Sequence, residues 1–290
     1  MGPLVIGVIG AGRVGAVLGA ALTAAGHRLV ATAAASAASR ERAGRLLPGV
    51  PIRPADEVAR AAGDLLLLAV PDDALPSVVA GLATTGALHR SRMVAHTSGA
   101  HGVGVLGDVP GTALHPAMTF TGERADLDRL HGISWGVTTA DRAFATRLVA
   151  DLHGIPEWIA EADRPLYHAA LAHGANHLVT LVNEAADLLR TAGVEEPRKV
   201  RAPLLHVALD NALRLGDEAL TGPVSRGDAG TLRKHLERMP APSVPAYLAL
   251  ARRTADRAVA SGRLRPQDAA LLWDVLAQAA SPRTLTGGQA

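Results

Sequence analysis

Cysteine is absent from the 290 residues, so disulfides, thiolate catalysis and cysteine-ligated zinc are excluded. Aromatic residues are scarce: three Trp, two Tyr and two Phe leave alanine, leucine and valine to fill the core. Lysine is confined to Lys199 and Lys234, and the other basic side chains are arginine. The formal net charge is +2, and no basic cluster is interleaved with aromatics, so nucleic acid is not an expected partner. No apolar run reaches the roughly 18 residues that a membrane span needs. The apolar N-terminus lacks the charged start of a secretory signal. The chain reads as soluble and cytoplasmic, and it is long enough for two domains with their own cores.

What is present begins at residue 4. Leu4 to Ile9 is an apolar run of strand length, and Gly10, Gly12 and Gly15 follow at G-x-G-x-x-G spacing. An Ala-rich helical stretch comes next, Ala16 to Ala25. Strand, glycine turn and helix start together predict a dinucleotide site. Gly10 allows the turn, Gly12 lets backbone approach a pyrophosphate, and Gly15 lets helix pack on strand. The helix N-terminus then faces the anion with Arg13 and Val14 beside it. A glycine turn that binds nothing is the plainer alternative.

The first half alternates short strands and helices, which predicts a doubly wound parallel Rossmann sheet, α/β in class. Strands are expected at His27–Ala34, Val50–Arg53, Asp64–Val70, Met93–Thr97, Thr112–Leu114, Ile133–Thr139 and Glu157–Ala160. Asp64–Val70 is continuously apolar, as a strand buried on both faces should be. Helices are expected from Arg40 to Leu47, from Pro54 to Ala62 and from Asp73 to Ala83. Near Ala162 the pattern becomes helical throughout. One long helix is expected from Arg164 to Ala192, with Gly193 as its stop. Further helices are expected at Pro197–Leu215, Thr231–Met239, Val244–Ala260 and Pro266–Ala279, before a frayed tail from Thr284. The reading is therefore a Rossmann domain over residues 1–161 and an all-α domain over 162–290, with a substrate cleft between them.

An NAD-preferring fold usually carries Asp or Glu about 20 residues past the glycines. Here the second strand ends at Ala33-Ala34-Ala35-Ser36, with no acid. Ser36 suits a 2′-phosphate as donor and Arg40 as counter-ion, with Arg42 and Arg45 adding positive field. This favours NADP over NAD. The arginines also fit a solvated helix face.

The chain resembles bacterial proteins that join a Rossmann-like NADP-binding domain to an all-helical domain of formerly unknown function. The likeness rests on Gly10-Ala-Gly-Arg-Val-Gly15, Leu68-Ala-Val-Pro-Asp-Asp73, His96-Thr-Ser-Gly-Ala100 and Leu114-His-Pro-Ala-Met-Thr-Phe120. It continues in Tyr167-His-Ala-Ala170, Gly174-Ala-Asn-His-Leu178 and Thr221-Gly-Pro-Val-Ser-Arg-Gly-Asp-Ala-Gly-Thr231. Wider relatives are ketopantoate reductase, pyrroline-5-carboxylate reductase and the 3-hydroxyacid dehydrogenases; the helical half is similar to the C-terminal domain of 6-phosphogluconate dehydrogenase. The resemblance implies NADPH-dependent reduction of a small carbonyl or imine, and a homodimer interlocked through the helical domain. Ketopantoate is the first substrate it suggests. One departure is clear: the hydroxyacid dehydrogenases place a lysine one turn before the helix asparagine, and no lysine precedes Asn176.

Carbonyl reduction needs a proton donor and groups that hold the substrate. Asn176 is expected to orient the substrate oxygen, and His173, three residues earlier, to donate a proton. Packing polar residues of a helix is the plainer role for such histidines. His173 and His177 have metal-ligand spacing, but no H-E-x-x-H pattern or third ligand accompanies them, so no metal is expected. Arg226 suits a substrate carboxylate, whose two oxygens match its fork. Asp228 suits either that turn's function or the cap of the next helix. Val70 and Pro71 are expected to line the cofactor, and Ser98 and His115 the substrate, since all end Rossmann strands at one edge. Three rivals remain: a non-enzymatic NADP(H) sensor, a helical scaffold with an idle Rossmann domain, and a deazaflavin-dependent NADP oxidoreductase.

Overall fold

The computed structural model describes residues 2–88 and 92–280; the expected tail from Thr284 lies outside them. The chain divides into two compact units, Met1–Asn176 and His177–Ala290.

The first unit opens with β1 (Val5–Ile9), α1 (Arg13–Ala24) and β2 (Arg28–Ala33). It continues through α2 (Ala37–Leu46), α3 (Ala55–Ala61), β3 (Leu65–Leu68), α4 (Leu75–Thr84), β4 (Met93–His96) and β5 (Gly111–Pro116). It ends with α5 (Ala125–Arg129), β6 (Ser134–Thr139), α6 (Arg142–Asp151), β7 (Ile155–Trp158) and α7 (Arg164–Leu171). Seven strands form one sheet in the order β2-β1-β3-β4-β5-β6-β7. The chain winds outward from β1 to β2, then returns across β1 to β3. That reversal is the switch point at whose carboxyl edge ligands collect in doubly wound folds.

β3 shows why the sheet forms. Leu65 and Leu67 enter the core packed by Val17, Leu18 and Leu22 of α1. Leu66 and Leu68 enter the opposite core, against Val58 of α3 and Leu75, Val79 and Leu82 of α4. Side chains alternate along a strand, so four consecutive leucines serve two covered faces. Each contributes on the order of 1.5–3 kcal/mol by leaving water.

Two expectations in this unit need correction. Val50–Arg53 makes one bridge, Thr32 to Ile52, and no strand. Pro51 and Pro54 flank it, and neither has an N–H to extend a ladder. The sheet is also not wholly parallel: β5 pairs antiparallel with β6, from Thr112–Thr139 to Pro116–Trp135. The link from β5 to β6 carries only the five-residue α5 and returns the chain as a hairpin does.

The expected helix from Arg164 to Ala192 is interrupted. α7 gives way to a π turn at Ala172–Asn176, and α8 (His177–Thr191) follows. Gly174 sits inside that turn, where helix propensity is weakest. The expected domain boundary also differs from the division of the fold, because α7 packs with the first unit. Arg164 is fully buried there, donating to the carbonyls of Gly136 on β6 and Ser98 after β4.

The second unit continues with α9 (Pro197–Leu215), α10 (Ala229–Arg238), α11 (Val244–Ala260) and α12 (Pro266–Ala280). Its core joins Leu232 and Leu236 of α10, Ala251, Ala255 and Ala258 of α11, and Leu272 and Leu276 of α12. Asp228 caps α10 by accepting from the Thr231 amide at 2.9 Å, the simpler of its two expected roles. α8 and α9 contribute little to this core. Val179, Leu204, Val207 and Leu213 are exposed.

Candidate functional site

The glycine turn forms as its spacing predicts. Gly10 has a φ of +100°, a conformation that side chains rarely adopt. A Cβ on Gly15 would strike the Gly10 carbonyl, so helix and strand meet at the closest possible approach. Gly12 is the opposite case: a Cβ there would meet nothing within 4 Å. The Gly10 and Ala11 amides donate to the Ala33 carbonyl, at 3.0 and 2.9 Å, and pin the turn to β2. No side chain caps α1, and no acid lies in its first turn. The helix therefore presents its positive end and its first amides, with exposed Arg13 at the first position. Val70 borders the turn; a Cβ on Gly10 would lie 3.2 Å from its Cγ1. Pro71 follows on the surface.

At the end of β2, Ser36 caps α2. Its hydroxyl accepts from the Ser39 amide at 3.1 Å, and the Ser39 hydroxyl accepts from the Ser36 amide at 3.0 Å. Arg40 folds back and donates to the Ala35 carbonyl at 2.8 Å. Ser36 and Arg40 thus stand together beyond β2. Arg45 does not join them, because it is committed to Glu123 in a two-pronged pair at 2.8 and 3.1 Å.

Along the same sheet edge, beyond β3, β4 and β5, a polar cluster assembles. His115 at the end of β5 and Tyr167 on α7 share a hydrogen bond, Nδ1 to Oη at 3.0 Å, with their rings edge to face. His168 lies edge-on to His115 with centroids 5.7 Å apart, and its Nδ1 is 3.8 Å from the Asp72 carboxylate. Both imidazoles close over Gly99, where a Cβ would lie 2.6 Å from His168 and 3.1 Å from His115. The buried Arg164 guanidinium sits 5.6 Å from the Tyr167 ring centre. Ser98 is buried; its hydroxyl accepts from the His101 amide at 3.0 Å.

These surroundings set the charges. Burial lowers the His115 pKa to about 4, reinforced by His168 and Arg164, with Asp72 opposing. Burial likewise takes His96, beneath the cluster, to about 4, and its Nε2 bonds the Gly102 carbonyl at 3.0 Å. Burial raises the Tyr167 phenol above its ordinary value, against the pull of Arg164. At neutral pH the pair is a neutral imidazole beside a neutral phenol.

Of the residues singled out from sequence, Gly10, Gly12, Arg13, Val14, Gly15, Val70 and Pro71 come together at the turn. Ser98 and His115 come together at the cluster. His173 and Asn176 lie on the exposed π turn, a distortion frequent at functional sites. Arg226 is exposed in the second unit, in a short 3₁₀ turn that Gly227 ends at a φ of +79°. Sequence reasoning missed Asp72, Arg164, Tyr167 and His168 as one group. The Tyr-His pair was visible, but nothing in the sequence tied it to a histidine 52 residues earlier.

Comparison with known proteins bears on the fold. The chain resembles, at 22% identity and a TM-score of 0.74, a candidate NADP oxidoreductase from Bacteroides fragilis, over 88% of this chain and 98% of that one. An imine reductase from a Pseudomonas species aligns at 21% identity and a TM-score of 0.62, over 93% and 99%. Plasmodium falciparum pyrroline carboxylate reductase, solved with NADP bound, aligns at 13% and 0.56, over 93% and 99%. At such identities the likeness is one of fold. No curated protein matches the chain. Residues 2–119 match the Rossmann-like domain model, and residues 133–254 match a domain of unknown function, DUF2520. The DUF2520 match starts inside the sheet, so β6, β7 and α7 belong to it although they pack in the first unit. The chain is a Rossmann-like domain followed by a DUF2520 domain with a helical C-terminal part.

Proposed function

We propose that this protein is an NADPH-dependent reductase of a small carboxylated ketone or imine, with ketopantoate the first substrate to test, working in the cytoplasm as a homodimer. The observation that carries the reading is the uncapped N-terminus of α1 beside an open Gly12, on the same sheet edge as the His115–Tyr167 cluster. The fit to a dinucleotide is good. Gly10, Gly12, Arg13, Val14 and Gly15 would hold the pyrophosphate. Ser36 and Arg40 would take the 2′-phosphate, and no acid stands at the end of β2 to repel it. Val70 and Pro71 would border the nicotinamide half. When bound, that cofactor supplies a hydride for the carbonyl or imine carbon.

The chain's own residues supply the rest. Ser98 and His115 would line the substrate. Asn176 and His173 are proposed to orient its oxygen and to exchange a proton, and Arg226 to fork onto a carboxylate. Pyrroline carboxylate reductase and imine reductase, among the structural neighbours, are named for substrates of this kind. The homodimer is supported by the apolar faces of α8 and α9. Val200, Leu204 and Val207 recur at i, i+4 and i+7, all more than half exposed. Among the described residues, no helix is long and apolar enough to cross a membrane.

The test is an NADPH-oxidation screen across keto acids, ketopantoate included, and cyclic imines. Turnover of one of these is expected. Tight coenzyme binding without oxidation by any of them would replace the reductase with a sensor.

A further inference from the structure

The reductase reading puts proton exchange on His173, in the exposed π turn; the cluster at the end of β5 offers a donor with defined partners, which takes that role over from His173. We propose that Tyr167 donates the proton to the reduced substrate and that His115 is the residue that positions its hydroxyl. The proposal rests on the reductase reading, but its geometry is independent of it.

A proton donor at neutral pH must hold its proton and survive losing it. His115 meets neither condition alone. It is uncharged above about pH 4, and a neutral imidazole is a poor acid. Tyr167 holds its proton, because burial raises its pKa. It also has a means of losing it. Arg164 lies 5.6 Å from the ring and favours the phenolate, and Glu157 opposes it. The His115 Nδ1, 3.0 Å from the oxygen, can donate to a phenolate while the phenol proton points away from the imidazole. In that arrangement the neutral His115 carries its hydrogen on Nδ1.

The step balances. With coenzyme bound, hydride (one proton and two electrons) would reach the substrate carbon as the C=O or C=N π bond breaks. The oxygen or nitrogen takes the Tyr167 proton, and Tyr167 is left as phenolate. The phenolate recovers a proton from His115 Nδ1 as His115 Nε2 takes one from the solvent side. There His168, partly exposed beside Asp72, faces the His115 ring. The charged and titratable groups around the pair are Asp72 after β3, His96 on β4, Glu157 on β7, Glu161, and Arg164 and His168 of α7. The site is tightly fitted as well: Gly136 leaves room for the phenol, which would lie 2.5 Å from a Cβ there.

The composition makes the test unusually clean. The chain has two tyrosines, Tyr167 and Tyr247. In a Tyr247→Phe protein without coenzyme, near-ultraviolet absorbance titrates the Tyr167 phenol alone. It should ionise above its ordinary value, and His115→Leu should raise it further by removing a donor to the phenolate. A lowered or unchanged value would overturn the positioning role. With the active substrate, Tyr167→Phe should reduce kcat about 100-fold or more while NADPH affinity stays within about twofold. The alkaline limb of the pH–kcat profile should disappear with it. Turnover near the parent level in Tyr167→Phe would overturn the donor role and leave the reductase standing. Failure of every ketone and imine to oxidise NADPH would remove the reductase and the donor role together.

Discussion

In β3 four leucines are covered on both faces of a sheet, whereas on α9 Leu204 and Leu213 remain 68% and 79% exposed. The two units reach stability by different routes. The first closes two cores around its strands and spends its buried polar groups on specific partners. Arg164 holds two carbonyls, and the Asp126 carboxylate receives the Thr121 and Gly122 amides at 2.7 and 2.8 Å. The second closes one core between α10, α11 and α12 and leaves α8 and α9 with apolar faces toward solvent. An α/β layer whose cores are internal serves as a fixed platform for a ligand. The uncovered face of the helical layer is the one that the proposed homodimer would bury.

The contrast is broken most severely at the glycine turn. Gly15→Val should unfold or strongly destabilise the first unit, by roughly 3 kcal/mol or more, because its side chain would enter the Gly10 carbonyl. Gly12→Val, three residues away, meets open space. It should leave the thermal midpoint nearly unchanged and still abolish coenzyme binding. Loss of stability in both, or in neither, would show that the turn is not built as described. On the helical side, Leu204→Glu together with Val207→Glu should convert a dimer to monomers in light scattering, with coenzyme affinity retained. A parent protein that is already monomeric would remove the proposed use of that face.

Smaller effects sharpen the same comparison. Arg40→Ala should weaken NADPH about tenfold or more and NADH little, since a charge-assisted bond contributes roughly 1.5–3 kcal/mol. Equal losses would reassign Arg40 to the helix surface. Stability should also depend on pH through the first unit. His96 and His115 titrate near 4 in the fold and near 6.5 when unfolded, so unfolding takes up protons between those values. Their contribution is complete above about pH 6.5 and declines as pH falls toward 4. The slope is up to about 1.4 kcal/mol per pH unit for each histidine. Urea midpoints measured across that range should fall with pH, and less steeply in His115→Asn. A flat profile would mean that neither imidazole is held neutral.

Much of this was legible in the residues. Gly10, Gly12 and Gly15 name their own turn because each answers a local steric demand. The bounds of α9 and α11 follow from Pro197, Gly216, Val244 and the periodicity between them. What could not be read is what topology alone brings together. The reversal at β6 depends on a pairing choice, and no strand pattern distinguishes a parallel neighbour from an antiparallel one. The cluster of Asp72, His115, Arg164, Tyr167 and His168 draws on three segments that the order of strands places side by side. Single polar residues in such segments look alike whether they cap, pack or react. Ser36 illustrates the difficulty: the hydroxyl proposed to meet a phosphate also caps α2, and the sequence does not show that second role.

Every proposed role depends on the coenzyme. Calorimetric titration of the folded protein with NADPH and with NADH measures it directly. Saturable heat with NADPH, at clearly higher affinity than with NADH, is the predicted result. No saturation with either, from material whose circular dichroism shows an intact α/β fold, would contradict it.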